Sequence, residues 1–85
     1  MEIVLLPEAQ THLKFWKKTG NQVVQKRITN LIKSIQETPF TGIGKPEALK
    51  YQLTGKWSRR INKEHRLIYT ILHNKLYIYS LKGHY

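Results

Sequence analysis

One stretch of the chain gathers side chains that could bind or cut a phosphodiester. Lys45, Lys50, Lys56, Arg59, Arg60, Lys63 and Arg66 crowd a segment whose only acids are Glu47 and Glu64. Arginine suits phosphate because its planar fork donates two hydrogen bonds at once. Glu47 stands between Lys45 and Lys50, and cationic surroundings favour the carboxylate form, which can accept a proton. The plain alternatives are a solvated basic face and an ordinary surface ion pair. The chain also closes on Lys82-Gly83-His84-Tyr85. Histidine is the side chain best placed to trade protons near neutral pH, and the competing reading of this tail is a frayed terminus.

The remaining candidates carry less chemistry. His12 is expected on a helix surface, His65 as a hydrogen-bonding residue at a strand start, and His73 in a turn. The four histidines lack zinc-type spacing and the chain has no cysteine, so neither metal nor other cofactor is expected. Trp16 and Trp57 are assigned to the core. Gly42-Ile43-Gly44 is too short for a phosphate-binding fingerprint and lacks its strand-to-helix context.

The elements that must position these groups follow from composition and pattern. Eighty-five residues allow one domain, 1–85, with a small core. A formal net charge of +10 points to a polyanionic partner: nucleic acid, an acidic protein or an anionic membrane. The membrane is disfavoured, because no apolar run approaches the ~20 residues of a spanning helix. The N-terminal apolar run is short, stops at Pro7, and has no basic region before it or cleavage site after it. A signal peptide is therefore not expected, and cytoplasmic residence is.

Residues 2–6 read as a buried strand. Pro7 opens a first helix, with Ala9, Leu13 and Trp16 at helical spacing, and Gly20 stops it. Asn21 caps a second helix whose apolar face is Val24, Ile28, Leu31, Ile32 and Ile35. Pro39 ends that helix, and residues 39–46 form a Gly/Pro-rich loop. Strands are predicted at 57–61, 65–72 and 75–81, joined by turns at 62–64 and 73–74. The order β-α-α-β-β-β predicts an α+β fold: a small antiparallel sheet with two N-terminal helices on one face. A three-residue turn at 62–64 would place Arg60 opposite Arg66, on one face with Ser58, and send Ile61, Leu67 and Ile71 under the helices. Two opposed arginines repel unless an anion lies between them.

Several segments together resemble the YoeB/Txe toxins of bacterial toxin–antitoxin modules, within the RelE superfamily. They are Thr38-Pro39-Phe40, Gly42-Ile43-Gly44-Lys45-Pro46-Glu47, Leu49-Lys50, Leu53-Thr54-Gly55, Trp57-Ser58-Arg59-Arg60-Ile61, Glu64-His65-Arg66-Leu67-Ile68-Tyr69 and His84-Tyr85. The resemblance runs the whole length and is dense from 38 to 69. It implies a RelE-like fold and a ribosome-dependent endoribonuclease that cuts messenger RNA in the decoding site and so inhibits translation. It puts the catalytic glutamate on Glu47, the phosphate-binding arginine on Arg66, and the terminal pair on His84 and Tyr85. A lysine and a second arginine near the scissile phosphate fall on Lys50 and Arg60. It also implies an acidic YefM-type antitoxin and a toxin homodimer. Ala48 departs from a second proline common after the glutamate, and Leu6-Pro7 from a polar helix cap.

The residues and the resemblance converge on one expected mechanism. RNA brings its own nucleophile, the 2′-hydroxyl. Glu47 is the expected base, His84 the acid, Arg66 the oxyanion clamp, with Lys50 and Arg60 assisting and Lys45 and Arg59 as further phosphate contacts. Tyr85 would orient the phosphate or stack on a base. The alternative is a non-catalytic basic module that binds RNA or the ribosome.

Overall fold

The computed structural model describes residues 1–83; the expected catalytic residues His84 and Tyr85 lie outside the described residues. The elements run β1 (Glu2–Leu5), α1 (Pro7–Thr19), α2 (Gln22–Glu37), β2 (Glu47–Ala48), a single 3₁₀ turn (Tyr51–Leu53), β3 (Trp57–Arg60), β4 (Arg66–Leu72) and β5 (Lys75–Ser80).

Both helices begin and end where local chemistry dictates. Pro7 occupies the first turn of α1, and Gly20 closes it at φ 69°, a conformation that would strain a residue with a Cβ. Asn21 caps α2 by accepting from the Val24 N–H at 3.0 Å. Val24, Ile28, Leu31 and Ile35 are buried along one side of α2 and pack with Ala9 and Trp16 of α1 onto Leu67, Tyr69, Leu76 and Ile78 of the sheet. Both tryptophans serve the core, Trp57 only partly buried. Among the described residues no helix is long and apolar enough to cross a membrane.

The α+β architecture is as expected, with one correction to the sheet. It is a five-stranded mixed sheet in the order β1-β5-β4-β3-β2, and β1 pairs with β5 in parallel. Short turns dictate antiparallel pairing only between consecutive strands, as in β3-β4-β5. The partner of β1 is reached only after both helices, so no turn sets its direction. Glu2 and Lys75 face each other across this edge, 3.7 Å apart at their charged groups. The two-residue strand β2 was not foreseen either, because Glu47-Ala48 is too short to show alternation. His73 and Asn74 both have positive φ, which suits the tight turn between β4 and β5.

Candidate active site

The register of three strands assembles one polar face. Arg60 lies opposite Arg66, Ser58 opposite Ile68, and Glu47 opposite Ser58. Opposed residues share a face and neighbours alternate. Glu47, Arg60 and Arg66 therefore share the side of the sheet away from the helices, while Leu67 and Tyr69 face the core. Glu47 is level with Ile68, so Arg66 lies two strands across and two residues along, roughly 12 Å away at the backbone. Glu47 and Arg60 are exposed and Arg66 is half-buried. Among the described residues Glu2 pairs with Lys75, Glu8 and Glu64 lie beside the imidazoles of His12 and His65, and no described cation pairs with Glu47.

Arg66 is braced by its own turn. Asn62 Oδ1 accepts from the N–H groups of Glu64 and His65, at 2.9 and 2.8 Å, and folds the 62–65 turn. Arg66 Nη1 then donates to the carbonyls of Asn62, His65 and Lys63 at 2.9, 3.2 and 3.3 Å. The Arg60 backbone is fixed from both sides. Its N–H donates to Gly44 O at 2.7 Å, and its carbonyl accepts from Arg27 Nη2 at 3.2 Å. Lys45 and Lys50 are exposed at either end of the short β2 segment. Sequence and structure thus bring Glu47, Arg60, Arg66 and the two lysines to one region.

Arg59 is corrected: it is no phosphate ligand. It is wholly buried on the helix side of the sheet. Its Nη1 donates to Ser34 Oγ and Ile43 O at 2.7 and 3.1 Å. Its Nη2 donates to Thr38 O and Thr41 O at 2.7 and 2.8 Å, and Nε to Tyr69 Oη at 3.3 Å. Tyr69 Oη donates in turn to Pro39 O at 2.6 Å, and burial pushes its hydroxyl pKa up, against the opposing pull of Arg59. The loop from Thr38 to Gly44 is moulded on this guanidinium. A Cβ on Gly42 (φ 117°) would come within 2.5 Å of Ser34 Oγ, and one on Gly44 (φ 85°) within 2.7 Å of Leu31 Cδ2. The same loop delivers Lys45, Pro46 and Glu47 to the sheet edge, so Arg59 supports the position of Glu47 from beneath.

Arg59→Leu should strip five acceptors of a charged donor, Tyr69 Oη in a buried bond and the other four in part-buried ones. With each such bond contributing about 1.5–3 kcal/mol, the loss should exceed about 3 kcal/mol even after relaxation. That corresponds to a fall in Tm of at least roughly 12 °C for a domain of this size. Thermal denaturation checks it, and a Tm within a few degrees of the parent would contradict this assignment.

The end of the described chain docks beside Arg66. The Arg66 N–H donates to Gly83 O at 2.8 Å, and the Gly83 N–H donates to His65 Nδ1 at 2.9 Å. His65 is thus the structural hydrogen-bonding residue expected. His12, expected on the helix surface, is instead mostly covered, its Nδ1 accepting from the Leu81 N–H at 3.0 Å. Burial lowers the His12 pKa, with Lys82 and His65 adding to the effect and Glu8 opposing it. No enclosed cavity lies at this face, and no group of three metal-ligating side chains forms, among the described residues.

Comparison with known proteins places this geometry in a family. Residues 6–85 match the family described as YoeB-like toxin of bacterial type II toxin–antitoxin system. The chain is 49% identical over 82 residues to a toxin YoeB of Synechocystis, covering 96% of this chain and 95% of that protein. A solved YoeB/ParE toxin from Agrobacterium tumefaciens superposes over the full length of both chains with a TM-score of 0.96 at 36% identity. A Staphylococcus aureus YoeB, solved in complex with YefM, is 45% identical, with a TM-score of 0.91 over 100% of this chain and 98% of that one. The same toxin solved as a dimer is 44% identical, with a TM-score of 0.92 over the same shares of the two chains.

Proposed function

The chain belongs to the YoeB-like toxins of bacterial type II toxin–antitoxin systems, and we propose that residues 1–85 form a single domain that cleaves messenger RNA in the decoding site of the ribosome. Glu47 takes the proton of the ribose 2′-hydroxyl as its oxygen attacks phosphorus. His84 gives a proton to the 5′-oxygen as the P–O5′ bond breaks. Arg66 holds the phosphorane charge, with Arg60 and Lys50 assisting and Lys45 contacting a flanking phosphate. Tyr85 orients the phosphate or stacks on a base. The products are a 5′-hydroxyl and a 2′,3′-cyclic phosphate, or the 3′-phosphate it opens to. All the acid, base and cationic groups are side chains of this chain.

The observation that carries this reading is the 2.8 Å bond from the Arg66 N–H to Gly83 O. It sets the residue before His84 beside the clamp arginine, on strands that also present Glu47. Dependence on the ribosome fits the openness of the face. Among the described residues nothing there encloses a flexible RNA, so the in-line geometry is assigned to the decoding site.

The antitoxin is a YefM-type protein whose acidic segment folds over the basic surface and neutralises a net charge of +10. The free toxin pairs with a second copy, and both act in the cytoplasm with the ribosomes. The function is tested with purified protein on ribosomes stalled at a defined codon. A single cut in the decoding site is expected, with naked message left intact. Equally efficient, position-specific cutting of naked RNA would overturn the ribosome dependence.

A further inference from the structure

We propose that His12 and His65 are positioning residues that act as neutral imidazole latches, fixing residues 81–83 beside Arg66 through their Nδ1 lone pairs. The inference rests on the cleavage role proposed for His84, which follows Gly83 directly.

The geometry settles the tautomers. A backbone N–H can only donate, so His12 Nδ1 must accept from Leu81 at 3.0 Å, and His65 Nδ1 from Gly83 at 2.9 Å. Both protons therefore sit on Nε2, where Glu8 lies 3.7 Å from His12 and Glu64 3.8 Å from His65. The Ser80 hydroxyl, 3.3 Å away, also lies against His12 Nδ1.

Trp16 joins the two latches into one assembly. Its Nε1 donates to Leu81 O at 2.8 Å, and its ring packs edge-on against the His65 ring with centroids 4.9 Å apart. Lys82 Nζ lies 4.5 Å from the centroid of the Phe15 ring. Residues 81–83 are thus gripped by α1 and by the start of β4. Only the two imidazole bonds in this grip can be cancelled by a proton.

A proton on Nδ1 replaces the acceptor with a donor aimed at another N–H. Among the described residues, the titratable groups facing His12 are Glu8 from α1, Lys82 from the tail and His65 from the β4 turn; His65 faces Glu64 and His12. Burial lowers the folded-state pKa of His12 below its unfolded value of 6.5. Its contribution to anchoring is therefore complete above about pH 6.5, and declines as pH falls toward and through the lower folded value.

The test is amide hydrogen exchange by NMR on the whole protein, with Ile78 of the interior strand β5 as internal reference, alongside cleavage on ribosomes at neutral pH. Between about pH 7.5 and pH 5.5, Leu81 should lose protection several-fold, up to about tenfold, relative to Ile78 after correction for intrinsic rates, the most that releasing the His12 imidazole to its ordinary value of 6.5 can drive over that range. His12→Asn and His65→Asn keep an acceptor near the Nδ1 position without a titrating ring. They should remain protected at both pH values and retain cleavage. His12→Leu and His65→Leu should lose protection at both pH values and slow cleavage by about tenfold, with the fold and Ile78 protection kept.

Protection of Leu81 that tracks Ile78 at every pH would overturn the proposal, as would Gly83 protection that is unchanged in His65→Leu. So would Leu variants that lose protection yet cleave normally. If the parent protein does not cleave on ribosomes at all, the nuclease reading fails, and the exchange arm still reports on the latch by itself.

Discussion

Removing His84 and Tyr85 will abolish cleavage on the ribosome while leaving the fold intact. Among the described residues the last of the core is Leu81, and the described anchors of the tail run to Gly83. A chain ending at Gly83 therefore keeps every described packing contact of residues 1–83. It loses the group assigned to protonate the 5′-oxygen, a role that contributes about 10²–10⁴-fold in rate. Cleavage should fall by that factor, with the circular dichroism spectrum and Tm unchanged. Full activity in the shortened protein would remove His84 from the mechanism and return protonation of the leaving group to the ribosome or to solvent.

Arg66→Ala will separate catalysis from binding. The guanidinium is assigned to the charge that develops on phosphorus, so its loss should slow cleavage by about 10²–10³-fold. Affinity for the ribosome should change little, because many other cations share the phosphate contacts. Lys63→Ala gives the contrasting result: near-normal cutting, weaker binding, and a salt dependence reduced by about one contact. Arg66 Nη1 also braces the 62–65 turn, so Arg66→Lys serves as the structural control. It keeps charge without the fork and should bind as the parent does but restore cleavage only in part. Equal loss of binding and cleavage in Arg66→Ala would show that the arginine serves only to dock.

Much of this site was legible in the order of residues, for identifiable reasons. Helix α2 announced itself through the Asn21 cap, its apolar stripe and Pro39, and the Arg60–Arg66 opposition followed from the length of one turn. Both are local signals. The parallel seat of β1 was not legible, because its partner β5 is some seventy residues away and no turn constrains it. Arg59 is the instructive miss. In a run of two arginines both look like phosphate ligands, yet the alternation that sends Arg60 outward sends Arg59 into the core. The alternation signal was present, and the chemistry of the side chain obscured it. For His12 there was no such signal: its partner, the Leu81 N–H, is brought near only by the folded sheet. The glycines at 42 and 44 marked a turn, but not that the turn is cast around a buried guanidinium.

The central claim is that side chains of this protein cut messenger RNA during translation. The most direct measurement maps messenger RNA 5′ ends genome-wide after brief induction of the protein in growing bacteria, beside a Glu47→Ala, His84→Ala double variant. The intact protein should produce new 5′-hydroxyl ends inside translated reading frames, at a fixed offset from the codon in the decoding site. The double variant should produce none at equal expression, while still associating with ribosomes. The same new ends in both strains, or arrested translation without any new ends, would contradict the assignment of cleavage to Glu47 and His84.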